Sequence, residues 1–459
     1  MGATTPDALT HTERAAQAAA QLRRSAPALG QVSLRKGTSN LFRDREDHGR
    51  RRLDLSMMCQ VIDADPQQGW VDVEGMTRYE DLVAWTLPHG VMPAVVPQLK
   101  TITAGGAAAG VGIEATSFRH GLVHDTLREI EVLLPGGDIV VCTPENEHSD
   151  LFFGFPNSYG TLGYALRLRL GTLSTKPTVH VRHHRYGTAS DFFAALAGQC
   201  AGDADFVDGV VFGPGEHVLS VARFADDAPW RSDYTFENIY YRSLLARDED
   251  YLSTHDYIWR WDTDWFWCSK NFGAQHPLVR RLLGRQRLNS RTYTRWMRLN
   301  ARWQLTQRLT RWRGRSRETV IQDVDIPLPH AAEFLEFMLR EIDITPIWIC
   351  PIRGELPGRL FPLYRLPQSP LYVNFGFWDV IETPNRFEPG HFNRRVEQEV
   401  MRLGGIKSLY SDSFFTRQEF AQAYGTEQYQ RLKERYDPEG RAPQLYEKCV
   451  QRGGSGAGR

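Results

Sequence analysis

The residues best suited to chemistry lie between Gln98 and Gly121. Gly105, Gly106, Gly110, Gly112 and Gly121 are interspersed with the hydroxyls of Thr101, Thr103, Thr116 and Ser117, and Glu114 is the single acid. Glycine lets the backbone approach a ligand closely, and successive N–H groups with short hydroxyls can cradle a pyrophosphate. The spacing is neither GxGxxG nor GxxxxGK(S/T), so neither a Rossmann nor a P-loop reading follows. A Gly/Ala-rich packing segment is the competing reading. A second knot of glycine and hydroxyl follows at Asn157-Ser158-Tyr159-Gly160-Thr161-Leu162-Gly163. No HExxH, Walker or GxSxG motif is present, and no cluster has metal-ligand spacing.

The surrounding elements must position these segments. The 459 residues suffice for two or three domains. Formal net charge is zero, which gives no pull toward nucleic acid. Six scattered cysteines form no CxxC pair and read as free thiols of a reducing compartment. The N-terminus lacks a signal-peptide pattern, and no apolar run is long enough for a transmembrane helix.

Periodicity predicts a helix over 12–24, strands over 32–34 and 70–73, and a helix through Leu87 opened by a Thr77/Glu80 capping box. A hairpin over 127–134 and 139–142 follows, then a short helix capped by Ser149 and Asp150, then a strand over 164–170. Beyond Pro177, strands are expected near 179–185, 206–212, 217–224, 319–326, 346–350 and 371–377. Helices are expected near 190–196, 330–342, 391–402, 418–423 and 427–436. The tail 451–459 reads as disordered.

Thr-x-Gly-Gly at Thr103–Gly106 followed by Gly160-Thr161-Leu162-Gly163 resembles the FAD-binding domain of the p-cresol methylhydroxylase (PCMH, vanillyl-alcohol-oxidase) type. From Val32 to Cys449 the chain is similar to the FAD-dependent sterol Δ24-reductases (the seladin/Diminuto family) and their bacterial relatives. The matches include Ser33-Leu34-Arg35, Gly112-Ile113-Glu114, Cys142-Thr143-Pro144, Ser149–Phe152, Val320–Asp323, Pro346–Pro351, Leu371-Tyr372 and Tyr446–Cys449.

The resemblance implies an α+β chain. An N-terminal helix with a partly disordered lead occupies 1–30, a PCMH-type FAD-binding domain 31–176, and a mixed-sheet substrate or cap domain 177–450. It implies cofactor contacts at Arg35, Thr38, Thr103, Ala104, Gly105, Gly106, Gly110, Gly112, Ile113, Glu114, Thr116, Ser117, Gly121, Gly160, Thr161, Leu162 and Gly163. No position in the phosphate-loop motifs clearly supplies a His or Cys tether, so the FAD is expected to be non-covalent. The implied reaction sends a hydride and a proton across an isolated C=C of a lipid, with NADPH as reductant. The lipid is a sterol side chain or a methylene-branched acyl chain. Candidate proton donors are Glu114, Asp323 and Tyr372. Two other readings stay open: an oxidase or dehydrogenase of an alcohol or sugar, and a non-catalytic lipid-surface protein on a degenerate flavin fold. The eukaryotic sterol reductases carry an N-terminal membrane anchor, and none is expected here. The expected location is the cytoplasm, in contact with the inner face of the membrane.

An insert at 255–317 carries Tyr257-Ile258-Trp259-Arg260-Trp261 and Trp265-Phe266-Trp267, then thirteen arginines without an acid from Arg280 to Arg317. On a helix, Tyr293, Trp296, Asn300 and Trp303 share a face. This pattern suits a membrane headgroup layer or a buried aromatic face with a solvated basic rim. Some of its arginines could also serve an anionic dinucleotide such as NADPH.

Overall fold

The computed structural model describes residues 9–24, 31–36, 51–303 and 315–450. Its strands are β1 (Val32–Arg35), β2 (Arg51–Asp54), β3 (Val61–Asp65), β4 (Trp70–Glu74), β5 (Val91–Pro93), β6 (Leu127–Leu133), β7 (Ile139–Cys142) and β8 (Tyr164–Ser174). These are followed by β9 (Thr178–Tyr186), β10 (Phe206–Gly213), β11 (Glu216–Ala225), β12 (Glu249–Ser253), β13 (Ser316–Pro327), β14 (Ile347–Arg353), β15 (Leu371–Thr383) and β16 (Ile406–Lys407). The first half builds an antiparallel sheet in the order β3-β4-β8-β6-β7, with β5 also on β8, beside a parallel β1–β2 pair. The second half builds an eight-stranded sheet in the order β12-β9-β11-β10-β14-β15-β13-β16. Helices and strands are thus mixed in an α+β architecture.

The second sheet was expected to be mixed, yet every described pairing in it is antiparallel. The two helical crossovers, β9 to β10 and β13 to β14, each skip one position. Their strands run parallel to one another, and β11 and β15 fill the gaps in the opposite sense. One face of this sheet carries Val207, Val211, Val320, Val324, Ile347, Ile349, Val373, Phe375 and Phe377. It is covered by the helices Ala189–Cys200, Ala331–Phe337 and His391–Arg402. The other face joins the core of the first sheet through Val210, Trp348, Cys350, Ile352 and Tyr372.

Two expected helix caps are absent. The helix Tyr79–Thr86 follows Arg78 with no side-chain cap. Thr77 instead donates its hydroxyl to the Gln60 carbonyl, and Glu80 pairs with Arg78. Likewise His148 precedes the helix Ser149–Gly154 without a side-chain cap. The Asp150 carboxylate accepts from the Tyr436 hydroxyl at 2.7 Å and pairs with Arg435. At Thr77 a remote carbonyl takes the hydroxyl, and at Asp150 the carboxylate is shared between Tyr436, Arg435 and the N–H of the next residue, Leu151.

A capping box at Thr10 and Glu13 does open the helix His11–Arg23. That helix is clasped to β4, where Arg14 and His11 reach the fully buried Glu74 at 2.7 and 2.9 Å. His11 also meets Glu131 at 3.0 Å, and the bonds to Glu131 and Glu74 raise its pKa to about 9.

The aromatic insert folds inward. Tyr257, Trp259, Trp261, Trp265, Phe266 and Trp267 are all buried. On the helix Ser290–Trp303, Tyr293 is buried, and Trp296 packs edge-on against Phe272 and Tyr293. The side chains of Asn300, Trp303 and Trp312 lie outside what is described. For the aromatic run and Tyr293, the buried-face reading replaces the headgroup one.

Candidate functional site

The first glycine segment is part helix. Thr103 caps the helix Ala104–Ala109, its Oγ1 accepting from the Gly106 N–H. The Ala104 and Gly105 N–H groups donate to the carbonyls of Thr77 and Gly75. The helix start was expected to offer its N–H groups to a diphosphate, but these three are spent inside the protein. Gly105 serves close packing, since a Cβ there would lie 2.8 Å from the Gly75 carbonyl oxygen. What the helix start offers is a cation: Lys36 Nζ donates to Thr103 Oγ1 at 2.9 Å and stands beside Gly106.

Past the helix the chain runs extended, and there the donors are free. Among the described residues, the N–H groups of Val111, Gly112 and Ile113 have no acceptor. Gly112 is itself buried, and an unpaired buried N–H is rare without a ligand. The second glycine segment lies directly alongside. The Tyr159 N–H donates to the Ala109 carbonyl at 2.8 Å, the Asn157 N–H donates to the Gly110 carbonyl, and the Tyr159 ring borders Gly110. Asn157 Oδ1 and Ser158 Oγ are buried without hydrogen-bond partners among the described residues. Near the end of the chain, the amines of Lys433 and Lys448 cap the carbonyls of Thr161 and Tyr159.

The remaining expected contacts divide. Arg35 points outward to Asp54, and Thr38 lies outside the described residues. The Thr116 hydroxyl donates to the Ala94 carbonyl, and Ser117 Oγ accepts from the Glu114 N–H, so both are locally engaged. Gly121 turns the chain at φ +74° against Asp125. Gly160 has φ +74°, Leu162 is core, and a Cβ at Gly163 would meet β6 at Val132 and Leu133.

The large sheet contributes the acids. Asn374 pairs in register with Cys350 on one side and Asp325 on the other, and the β10–β14 register carries Asp208 to the position opposite Cys350. A row of polar side chains therefore crosses four strands on the face toward the glycine segments. Arg260 is fully buried and its Nη2 bridges Asp208 at 2.7 Å and Glu114 at 3.0 Å, while Trp348 Nε1 adds a bond to Asp208. Burial raises the Glu114 pKa, against the opposing charge of Arg260. Asp325 accepts from Asn374 and from Tyr364, and burial raises it to about 6.

Asp323 sits one strand-repeat along from Asp325. Its Oδ1 is buried and has no partner among the described residues, while its carboxyl bonds the Tyr410 hydroxyl, which also accepts from Trp378 Nε1. Burial raises Asp323 to about 7. Gly376 makes the room: a Cβ there would lie 2.7 Å from both Asp323 Oδ1 and Trp378 Cη2. Burial first and Asp323 next push the Tyr410 pKa up, with a small further rise from Tyr159 of the second glycine segment. Tyr372 is on the same face, its hydroxyl accepting from the Gln368 N–H, with its pKa pushed up to about 12 chiefly by burial. Asp323 thus lies on the sheet face that shares a core with the glycine segments, while Glu114 is held in an ion cluster. Arg260, Asp208, Tyr410 and Trp378 went unnoticed as site residues in the sequence. An acid at an otherwise apolar strand position, as in Phe206-Val207-Asp208-Gly209-Val210, was the available signal for Asp208.

Residues 6–143 match the family described as FAD binding domain. The chain belongs with the FAD-dependent oxidoreductases. Delta(24)-sterol reductase of Homo sapiens is 26% identical over 418 residues, covering 86% of this chain and 77% of that protein. The Arabidopsis thaliana protein of the same name is 24% identical over 444 residues, covering 86% and 76%. Cytokinin dehydrogenase 10 of Oryza sativa is 32% identical over 127 residues, 28% of this chain and 21% of that protein. The residues present fit FAD: unpaired donors at 111–113, unpaired polar atoms on Asn157 and Ser158, and the Lys36 ammonium suit a ligand rich in acceptors with a charged diphosphate.

Proposed function

We propose that the chain reduces an isolated C=C in a lipid, using non-covalently held FAD and NADPH as electron donor, at the inner face of a membrane. The observation that carries this reading is Asp323, a buried carboxyl with one unpartnered oxygen and a pKa raised to about 7, on the sheet face that shares a core with the glycine segments. Bound FAD supplies the hydride. The rest of the task is positioning, dryness and a proton. Val111–Ile113 and Lys36 hold polar parts of the cofactor. Trp348 and Trp378 both pack at a tilt on Phe266, and this aromatic cluster would help keep the site dry. Asp323 Oδ1 holds the proton for the carbon that does not receive hydride, and Tyr410 orients the carboxyl. Glu114 and Tyr372 are assigned supporting roles, because Arg260 and the Gln368 N–H engage them.

The relatives named Delta(24)-sterol reductase span most of the chain and support a sterol side chain as substrate; a methylene-branched acyl chain poses the same chemistry. The cytokinin dehydrogenase likeness is confined to 127 residues and does not favour an alcohol or sugar oxidase. Anaerobic mixing with NADPH tests the reading: the flavin absorbance is expected to bleach and to return on adding a Δ24-sterol or a methylene-branched lipid. Absence of bleaching with NADPH or NADH rejects a nicotinamide-driven reductase, and bleaching without recovery on either lipid rejects both substrates.

A further inference from the structure

Away from this site, the helix Pro277–Leu283 turns two leucines into solvent. Leu278 is 69% and Leu282 82% exposed, the two most exposed large apolar side chains among the described residues. They are four residues apart and share one helix face. The helix cannot roll to hide them, because Arg280 on its opposite side is buried. Its guanidinium meets Asp264 at 2.5 Å and the Phe236 carbonyl at 2.7 Å.

Around the leucines the exposed charges are mainly basic. Arg281 and Arg285 make exposed pairs with Glu237 and Asp233, and Arg287 is exposed in the following turn. Exposed pairs of this kind are weak and exchange readily for other anions. The sequence from Trp265 to Arg317 carries Lys270 and thirteen arginines with no acid, in a chain whose net charge is zero.

We propose that the Leu278–Leu282 face docks the protein on a bilayer with anionic headgroups, with the leucines at the acyl boundary and the arginines at the phosphates. Partial insertion needs only an apolar tip and a basic rim. A stable protein interface buries about 800 Å² per partner, far more than two leucines offer. A second copy meeting this face symmetrically would set arginine against arginine. The aromatic face of Tyr293 and Trp296 is not the docking surface, since it packs on Phe272. This docking deepens the lipid-substrate reading, and its test needs neither flavin nor turnover, so each can fail alone.

The full chain is to be sedimented with vesicles of phosphatidylcholine, with and without phosphatidylglycerol. Wild type is expected on the anionic vesicles, with affinity falling as salt rises. The Leu278→Ser/Leu282→Ser variant is expected to bind at least about tenfold more weakly, with unchanged flavin absorbance and thermal midpoint. Equal binding by the variant, or wild type remaining in the supernatant with both vesicles, overturns the proposal. A concentration-dependent dimer that the double variant abolishes also overturns it and assigns the face to self-association.

Discussion

On β15, Val373, Phe375 and Phe377 point into three helices, whereas Tyr372, Asn374, Gly376 and Trp378 point toward the glycine segments. The same strand thus serves two cores. The helix side is closed mainly by apolar packing, with one buried amide pair in which Gln322 Nε2 donates to Asn393 Oδ1 at 2.7 Å. The other side buries Asp208, Asp325 and Arg260 and must satisfy each through a specific bond. Polar burial of this density is a poor route to stability, and it is concentrated on the face to which the proposed reaction is assigned.

That contrast can be broken from either side. Asp323→Asn should lower lipid-dependent flavin reoxidation by about a hundred- to ten-thousandfold while leaving the bleaching by NADPH intact; single-turnover absorbance separates the two steps. In wild type the same step should slow as pH rises through about 7, where Asp323 loses its proton. The folded carboxyl keeps its proton to higher pH than the unfolded one, so its burial costs stability as pH rises, and the asparagine variant should be at least as stable as wild type at pH 8.

Arg260→Leu strands Glu114 and Asp208 and is expected to cost about 3–5 kcal/mol in denaturant unfolding. A cost near zero would show that the carboxylates take up protons at no penalty. Phe375→Ala, on the helix side, should cost about 3–5 kcal/mol yet leave the pH dependence of turnover unmoved, which distinguishes packing from chemistry. The smallest effect is at the N-terminal clasp. His11 titrates near 9 when folded and near 6.5 when unfolded, so its contribution is full below pH 6.5 and fades as pH rises through about 9. Unfolding of His11→Ala should lack that slope.

Most elements were legible because alternation and helical period are local. β13, β14 and β15 fall where the apolar pattern places them, as do the helices over 391–402 and 426–436. Direction was not legible, because the strand that fills each skipped position, β11 or β15, pairs on one side with its neighbour in sequence and on the other with a remote strand, β9 or β13. The caps at Thr77 and Asp150 failed for a related reason: Gln60 and Tyr436, remote along the chain, compete for the same groups. Arg260 shows the limit most clearly. In Trp259-Arg260-Trp261 it reads as part of a basic aromatic surface, and only Glu114 and Asp208, drawn from other elements, make its burial tolerable. The glycines were legible as a site, but their roles differ. Gly105→Val would break packing on Gly75, so it cannot isolate a cofactor contact, whereas Gly106 faces only the ends of Lys36 and Thr103.

The amines of Lys433 and Lys448, which cap the carbonyls of the second glycine segment, come from the end of the chain. During synthesis the first sheet can form while those carbonyls are still open to water. A ribosome that stalls before Lys433 would therefore release a chain able to build its sheets but not to latch its second glycine segment.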